Sequence, residues 1–551
     1  MATLKFSYSD LMELLGEEIP ISEVVESLTM MGVPVEEVKG DEIEVEVFPN
    51  RPDLLSVEGI ARALKGFLGI ETGLPSFRVT SGEIKVFVSD SVKKIRPYIS
   101  CGVIKGVDLG REETIVSLMQ MQEKLHETIG RRRRKASIGI YDLDKISPPI
   151  YYKVVGPEEV RFVPLDSFEE MCPREIIESH PKGIEYGWIL SDLDKYPLLV
   201  DSNGTVLSMP PIINSEETKV EENTKNLFVD VTGTHEETVS QVLNIVLTSI
   251  SERGGVIESV IVRDWRGERT SPDLSPLKIN LRKSYVEKLL GIELKVSEIK
   301  SLLEKMRLGV SDDLSVLVPA YRVDVLHEID LVEEIAIAYN YMKFEAKLPE
   351  KMTLGEEDRI ESFLDLVRDV LIGLGYQEVM TFSLTNEEIV FNKCMAPKVK
   401  YIEIMNPKTE KYRIIRPWIY PGLIKVLSNN KSSTFPQTIF EVGEVAYPDE
   451  AEETGARIEI HLCAAVTHPK AGYTEIRSVL DVLMREFGVE LQVRPRDFAA
   501  FIPGRSGEII HKERQVGFIG EVHPEVLVLM GLENPVALFE LNLSEIFEGS
   551  L

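Results

Sequence analysis

Apolar residues recur at three- and four-residue steps in several separate stretches of the chain, and each predicts an amphipathic helix. Such stripes run through residues 21–31, through Val57, Ile60, Ala61, Leu64 and Phe67, and through residues 112–129. Further on, Ile329, Val332, Ile335, Ala336 and Tyr339 form one stripe, and Ile360, Phe363, Leu364, Val367, Leu371 and Leu374 another. Shorter stripes predict helices at 284–290, closed by Gly291, and after Ser297 as cap, with Ile299, Leu302, Leu303 and Met306 inward and Gly309 at the end. Alternating or continuous apolar runs predict strands at 42–48, 84–88, 98–107, 138–144, 188–190, 198–200, 314–318, 377–382 and 440–445. Asp53 or Ser56 can cap the helix that follows Pro49 and Pro52.

A chain of 551 residues exceeds one core, and elements of both kinds alternate irregularly, so the reading is an α+β protein of several domains. The C-terminal part combines the helix at 358–374 with the strands at 377–382 and 440–445. Short linkers at 76–82, 264–271 and 347–355 divide the chain into modules at 1–80, 82–268, 270–350 and 353–551.

Composition narrows the function. Apolar residues make up 43% and charged residues 28% of the chain, which describes a globular rather than a disordered protein. No apolar run reaches the roughly 18 residues of a membrane span, and the first residues lack a secretory apolar core. Cys101, Cys172, Cys394 and Cys463 are scattered, as reduced thiols of a cytoplasmic protein would be. A net charge of −29 argues against a protein that coats nucleic acid unaided. Against that background stands one dense basic run, Arg-Arg-Arg-Arg-Lys at 131–135. It reads either as a solvated loop or as a phosphate contact to RNA.

Candidate chemistry falls in two places. The stretch Pro-Ala-Tyr-Arg-Val-Asp at 319–324 precedes a helix carrying Asp330, Glu333 and Glu334. Together with Asp324 these carboxylates can gather in one small volume, where a hard divalent cation such as magnesium would relieve their repulsion. Asp330 as N-cap with Glu333 reaching back is the competing reading. The second place is the pair of segments at 206–215 and 226–234, where Ser208, Asn214, Asp230 and Thr232 stand beside prolines and apolar strands. Such loops either line a pocket for a small polar group or form ordinary sheet edges.

Several of these strings resemble the phenylalanyl-tRNA synthetase beta-subunit family. They are Pro-x-Tyr-Arg-x-Asp with Asp-Leu-x-Glu-Glu-Ile-Ala-x-x-Tyr-x-Tyr, and Pro-Asn-Arg-Pro-Asp-Leu-Leu-Ser-x-Glu-Gly at 49–59. Ile-Gly-Ile-Tyr-Asp-Leu-Asp at 138–144 and Gly-Phe-Ile-Gly-Glu-Val-His-Pro at 517–524 add to them. The resemblance implies an N-terminal α/β module, an editing module, a winged-helix-like module and a C-terminal core of class II synthetase type. It implies magnesium on Asp324, Asp330, Glu333 and Glu334. It also implies partnership with an alpha subunit in an α2β2 assembly that charges tRNA(Phe). ATP and phenylalanine would be bound by the alpha chain, with this chain supplying assembly, tRNA contacts and hydrolysis of mischarged tyrosyl-tRNA(Phe). A pocket for phenylalanine rejects an analogue that adds a hydroxyl by only about a hundredfold, which is why a second, hydrolytic site is useful. A structural RNA-binding scaffold without hydrolysis is the alternative.

The C-terminal core lacks the groups that grip ATP. Arg413 and Arg416 sit where phosphate ligands would be sought, but no arginine stands two residues before Glu441. Gly-Arg-Ser-Gly at 504–507 reads as a surface turn rather than a catalytic strand.

Overall fold

The structure is a computed structural model that describes residues 2–191, 193–348 and 353–548. The chain divides into two compact units, Met1–Leu348 and Pro349–Leu551. Part of the expected linker at 347–355, residues 349–352, lies outside the described residues.

The first unit begins with a three-stranded antiparallel sheet in the order Ala2–Ser7, Glu42–Val47, Val35–Lys39. Helix Val57–Leu68 packs beside it, and Ser56, rather than Asp53, caps that helix by accepting from the Gly59 amide at 3.1 Å. A mixed eleven-stranded sheet follows. Its main path runs Ile213–Asn214, Val206–Met209, Tyr196–Val200, Ile150–Val155, Lys85–Val88, Val256–Asp264, Tyr98–Lys105, Asn226–Gly233, Ala136–Asp142. Alternation along Asn226–Gly233 sends Leu227, Val229 and Val231 into the core shared with helices Glu112–Glu127 and Glu236–Ser251. Phe228, Asp230 and Thr232 therefore share the opposite face. The predicted strand at 188–190 is instead one 3-10 turn, Gly187–Ile189, following helix Pro181–Tyr186. Packing of that helix overrides the β-propensity of Trp188 and Ile189.

Downstream, strands Leu277–Asn280, Ser315–Val318 and Gly309–Val310 make a small antiparallel sheet, with Ser315–Val318 central. Helices Lys283–Leu290, Val296–Lys305 and Glu328–Tyr339 share its apolar core. Two predicted caps move. Lys295, not Ser297, is the cap of the second helix. His327, not Asp330, is the cap of the third. Because that helix opens at Glu328, Leu331 joins Val332, Ile335 and Ala336 in the buried face, and Ile329 is left 48% exposed.

The second unit is a seven-stranded sheet, antiparallel except at one edge. Its order is Gln377–Glu378, Gln437–Pro448, Ala456–Thr467, Val536–Asn542, Arg514–Val522, Phe501–His511, Gln492–Pro495. Alternation gives it two apolar faces. Leu462, Ala464 and Val466 meet helices Arg359–Gly373 and Tyr473–Phe487, while Cys463 and Ala465 meet Tyr420–Asn429 and Pro524–Met530. Only Gln377–Glu378 of the predicted strand at 377–382 pairs, so the rest is irregular. Residues 504–507 are not a turn. They lie inside strand Phe501–His511, where the register breaks between Phe501 and Ser506 around Gly504 at φ 76°. All four cysteines are free and buried.

Candidate functional site

Asp230 sits in the middle of strand Asn226–Gly233, between Cys101 on one neighbouring strand and Gly139 on the other. Its side chain is 2% exposed and reaches the floor of a cavity of about 660 Å3, well within the range of small-ligand sites. Ser208 and Asn214 line the same cavity, and they are direct partners across the pair Val206–Met209 and Ile213–Asn214. Three of the four expected residues are thus brought together.

Tyr141, which sequence reasoning did not single out, ties them. Its hydroxyl stands 2.6 Å from Asp230 Oδ1 and 2.7 Å from Ser208 Oγ. With one proton, it donates to the carboxylate and accepts from the serine. Gly139 makes this possible, because a Cβ there would come 2.0 Å from the Tyr141 hydroxyl and 2.4 Å from Asp230 Oδ1. Burial pushes the Asp230 carboxyl up to about 7, while the Tyr141 hydrogen bond and the positive charge of Arg96 hold it back. A carboxyl balanced near neutrality can take or give a proton to a hydroxyl at the cavity floor.

Thr232 is placed elsewhere. It is fully buried, accepts from Arg96 Nε at 2.9 Å through its hydroxyl and from Arg96 Nη2 at 2.7 Å through its carbonyl, and does not line the cavity. Arg96 also donates to the carbonyls of Arg133 and Arg134 and to Ser137 Oγ, so it clamps the loop of the basic run from beneath. Arg131, Arg132 and Arg133 all have positive φ, at 51°, 53° and 65°. Each such residue costs about 1–2 kcal/mol, which the clamp offsets.

The opposite wall of the cavity carries Glu123, His126 and Arg133. Arg133 is buried, donates to the carbonyls of Pro211 and Ile212, pairs with Glu123, and lies 4.2 Å from the Tyr186 ring centroid. The Glu123 carboxyl, against the cost of its burial, is drawn down to about 2 by His126 and Arg133. Burial holds the His126 imidazole down to about 4. Its Nε2 accepts from the Ile138 amide at 2.8 Å, so the proton of the neutral ring is on Nδ1, which has no hydrogen-bond partner among the described residues.

The expected magnesium site is not assembled. Arg322, buried, donates to Asp324 at 2.9 and 2.8 Å and to Glu334 at 3.0 and 2.6 Å. One guanidinium thus does for these two carboxylates what a cation would. Asp330 is spent on the helix start, accepting from the Leu326 and His327 amides at 2.8 Å each. Glu333 accepts from the Tyr341 hydroxyl at 2.8 Å. No three histidine, cysteine or carboxylate side chains converge as a metal cluster among the described residues, so the four expected ligands do not fit the ion as they are held here.

Comparison with known proteins decides the family. The phenylalanine–tRNA ligase beta subunit of Methanothrix thermoacetophila is 42% identical over 99% of this chain and 100% of its own. That of Pyrococcus horikoshii is 42% identical over 99% and 100%. The chain belongs to the phenylalanine–tRNA ligase beta-subunit family. It is therefore a subunit of an aminoacyl-tRNA synthetase. Family models agree along the chain: the B3/4 domain at 116–249, the tRNA synthetase B5 domain at 279–341 and the phenylalanyl-tRNA synthetase beta chain CLM domain at 345–543. The crystal structure of an N-terminal fragment of the P. horikoshii beta subunit superposes with a TM-score of 0.60 at 43% identity, covering 61% of this chain and 99% of the fragment. Within this beta-subunit chain the cavity lies in the B3/4 match, and the Arg322 cluster lies in the B5 match.

In the CLM match, both arginines examined for phosphate binding are already engaged. Arg416 is buried and donates to Glu441 at 2.6 Å and to Thr381 Oγ1 at 2.8 Å. Arg413 pairs with Glu403 at 2.6 Å and Glu410 at 2.8 Å. Arg505 pairs with Glu521 at 2.6 Å.

Proposed function

We propose that this chain is the proofreading and assembly subunit of its ligase, and that the cavity under Asp230 hydrolyses tyrosine wrongly esterified to tRNA(Phe). The observation that carries this is the Ser208–Tyr141–Asp230 chain at the floor of an otherwise largely apolar cavity. A phenol hydroxyl extends that chain, whereas a phenylalanine ring brings no hydroxyl to it. Discrimination against a group that lacks a needed hydrogen bond is far stronger than discrimination by size. A water held over the ester adds across it, releasing tyrosine and the free terminal ribose hydroxyl of the tRNA. Among the described residues no serine of the cavity lining is hydrogen-bonded to a histidine, so the rate rests on positioning a water.

Adenylation belongs, in this reading, to an alpha subunit that binds ATP and phenylalanine, with two copies of each chain assembled in the cytoplasm. Carboxylate partners on Arg413, Arg416 and Arg505 support a C-terminal core that does not hold ATP. The magnesium that accompanies ATP is assigned to that partner's chemistry, and no step here passes through it.

Two measurements test the reading. The assembled ligase should release tyrosine from tyrosyl-tRNA(Phe), and Asp230→Asn should abolish most of that release while leaving phenylalanine charging intact. No release above the uncatalysed rate from the wild-type assembly would leave a scaffold without hydrolysis. Separately, the purified beta chain should give no phenylalanine-dependent pyrophosphate exchange.

A further inference from the structure

The basic run at 131–135 is not one patch but two layers. Arg133 turns inward and becomes part of the cavity wall. Arg131, Arg132 and Arg134 are exposed, and their side chains have no hydrogen-bond or ion-pair partner among the described residues. In a chain with 91 acidic side chains against 62 basic ones, three adjacent guanidiniums left without a carboxylate are a feature to be explained. The loop is also held stiffly in an unfavourable backbone conformation, by Arg96 on its carbonyls and by Arg133 on the Pro211 and Ile212 carbonyls. Such anchoring fixes where the outward side chains stand, and because Arg133 lines the cavity they stand at its rim.

An aromatic surface accompanies them. The Arg132 guanidinium lies 5.9 Å from the ring centroid of Trp188, which is 46% exposed. Lys182 lines the cavity on the same side, 5.4 Å from the Tyr186 ring that also packs under Arg133. Fixed cations beside an open indole are what single-stranded nucleic acid requires, since phosphates pair with the guanidiniums and a base stacks on the ring.

We propose that Arg131, Arg132, Arg134 and Trp188 form a docking track for a single-stranded RNA end, which guides the esterified 3′ terminus of a tRNA into the Asp230 cavity. The inference rests on the hydrolytic reading of that cavity, but its first test does not. Each phosphate neutralised on a single strand contributes about 0.7 to the slope of log affinity against log salt. Three guanidiniums therefore account for a slope of about 2. The experiment measures binding of the full-length chain, assembled with its alpha subunit, to an RNA hairpin with an unpaired 3′ tail, by fluorescence anisotropy across salt. The combined variant Arg131→Gln, Arg132→Gln, Arg134→Gln should lower the magnitude of the slope by about 2, and the corresponding triple lysine variant should restore it. Trp188→Ala should weaken binding on the order of tenfold with the slope unchanged, as loss of stacking without loss of charge. In tyrosyl-tRNA(Phe) hydrolysis the triple glutamine variant should raise KM and spare kcat.

An unchanged slope in the glutamine variant, with lysine and tryptophan variants equally silent, would overturn the track even if hydrolysis is robust. Arginine-dependent binding in an assembly that hydrolyses nothing would keep the track and remove the hydrolytic reading. Should the glutamine variant fail to fold, the lysine and Trp188→Ala variants still decide, because a lysine variant with wild-type slope and a tryptophan variant without effect together deny any stacking track.

Discussion

Replacing Asp230 by asparagine exposes what the buried carboxyl costs the fold and what it supplies to the reaction. The folded protein raises this group from an ordinary 3.8 to about 7. A raised value means that the fold favours the neutral form. The stability from that preference is complete below about pH 4 and is lost as pH rises through 7. A carboxyl that ionises near 7 rather than near 4 corresponds to about 4 kcal/mol across that window. Asparagine keeps the shape and an acceptor for the Tyr141 hydroxyl but does not titrate. The stability of Asp230→Asn relative to wild type should therefore grow by up to about 4 kcal/mol between pH 4.5 and 8. Urea unfolding followed through Trp188 and Trp265, both in the first unit, in a Trp418→Phe background reads this difference directly. Hydrolysis should move the other way. Wild-type kcat/KM for tyrosyl-tRNA(Phe) should rise through about pH 7 as the carboxylate forms. The variant should be flat and lower at pH 8 by one to two orders of magnitude, the worth of a hydrogen bond to a charged group. A stability difference that stays constant from pH 5 to 8 would refute the reasoning, because the carboxyl would then titrate alike in folded and unfolded chains.

Tyr141→Phe removes the hydrogen bond that holds Asp230 down, so the pH–rate profile for hydrolysis should shift by roughly one unit to the alkaline side. Gly139→Ala places a methyl group on top of Tyr141 and Asp230. It should cost about 1–3 kcal/mol in unfolding free energy and abolish tyrosine release. Arg322→Met strands the buried Glu334 and the half-buried Asp324 and should destabilise the first unit by about 3–5 kcal/mol in urea titration. Chelation of divalent cations should leave the melting temperature of the isolated chain unchanged, since the Arg322 guanidinium already bridges Asp324 and Glu334.

Much of the fold was legible because it obeys local rules. The stripe from Val57 gives helix Val57–Leu68, and alternation near residue 42 gives strand Glu42–Val47. At the candidate site, Ser208, Asn214 and Asp230 stood out as polar residues in apolar strands, and the structure brings them to one cavity. Tyr141 and Gly139 stood in the string at 138–144, but their part in the site was not legible, because it depends on which strands lie beside Asn226–Gly233, and register across strands distant in sequence leaves no local mark. Thr232 looked identical to Asp230 in pattern, but Arg96, far along the chain, claims it for the loop. The spacing of four carboxylates suggested a shared cation. What it missed was Arg322, two residues before Asp324, whose fork spans both that carboxylate and Glu334. The basic run shows five like residues in sequence, and only burial separates Arg133 from its neighbours.

Asp230 and Tyr141 are mounted on paired neighbouring strands, Asn226–Gly233 and Ala136–Asp142, while Ser208 stands on Val206–Met209, near the other end of the same sheet's path. The Ser208–Tyr141–Asp230 chain therefore joins two distant parts of that path and holds only while both keep their ladders. Warming should leave the geometry nearly untouched until the sheet lets go, so the proposed hydrolysis should vanish abruptly at a threshold instead of fading by degrees. Under the proposed function, an organism living close to that threshold would keep charging tRNA after it had ceased to check the result.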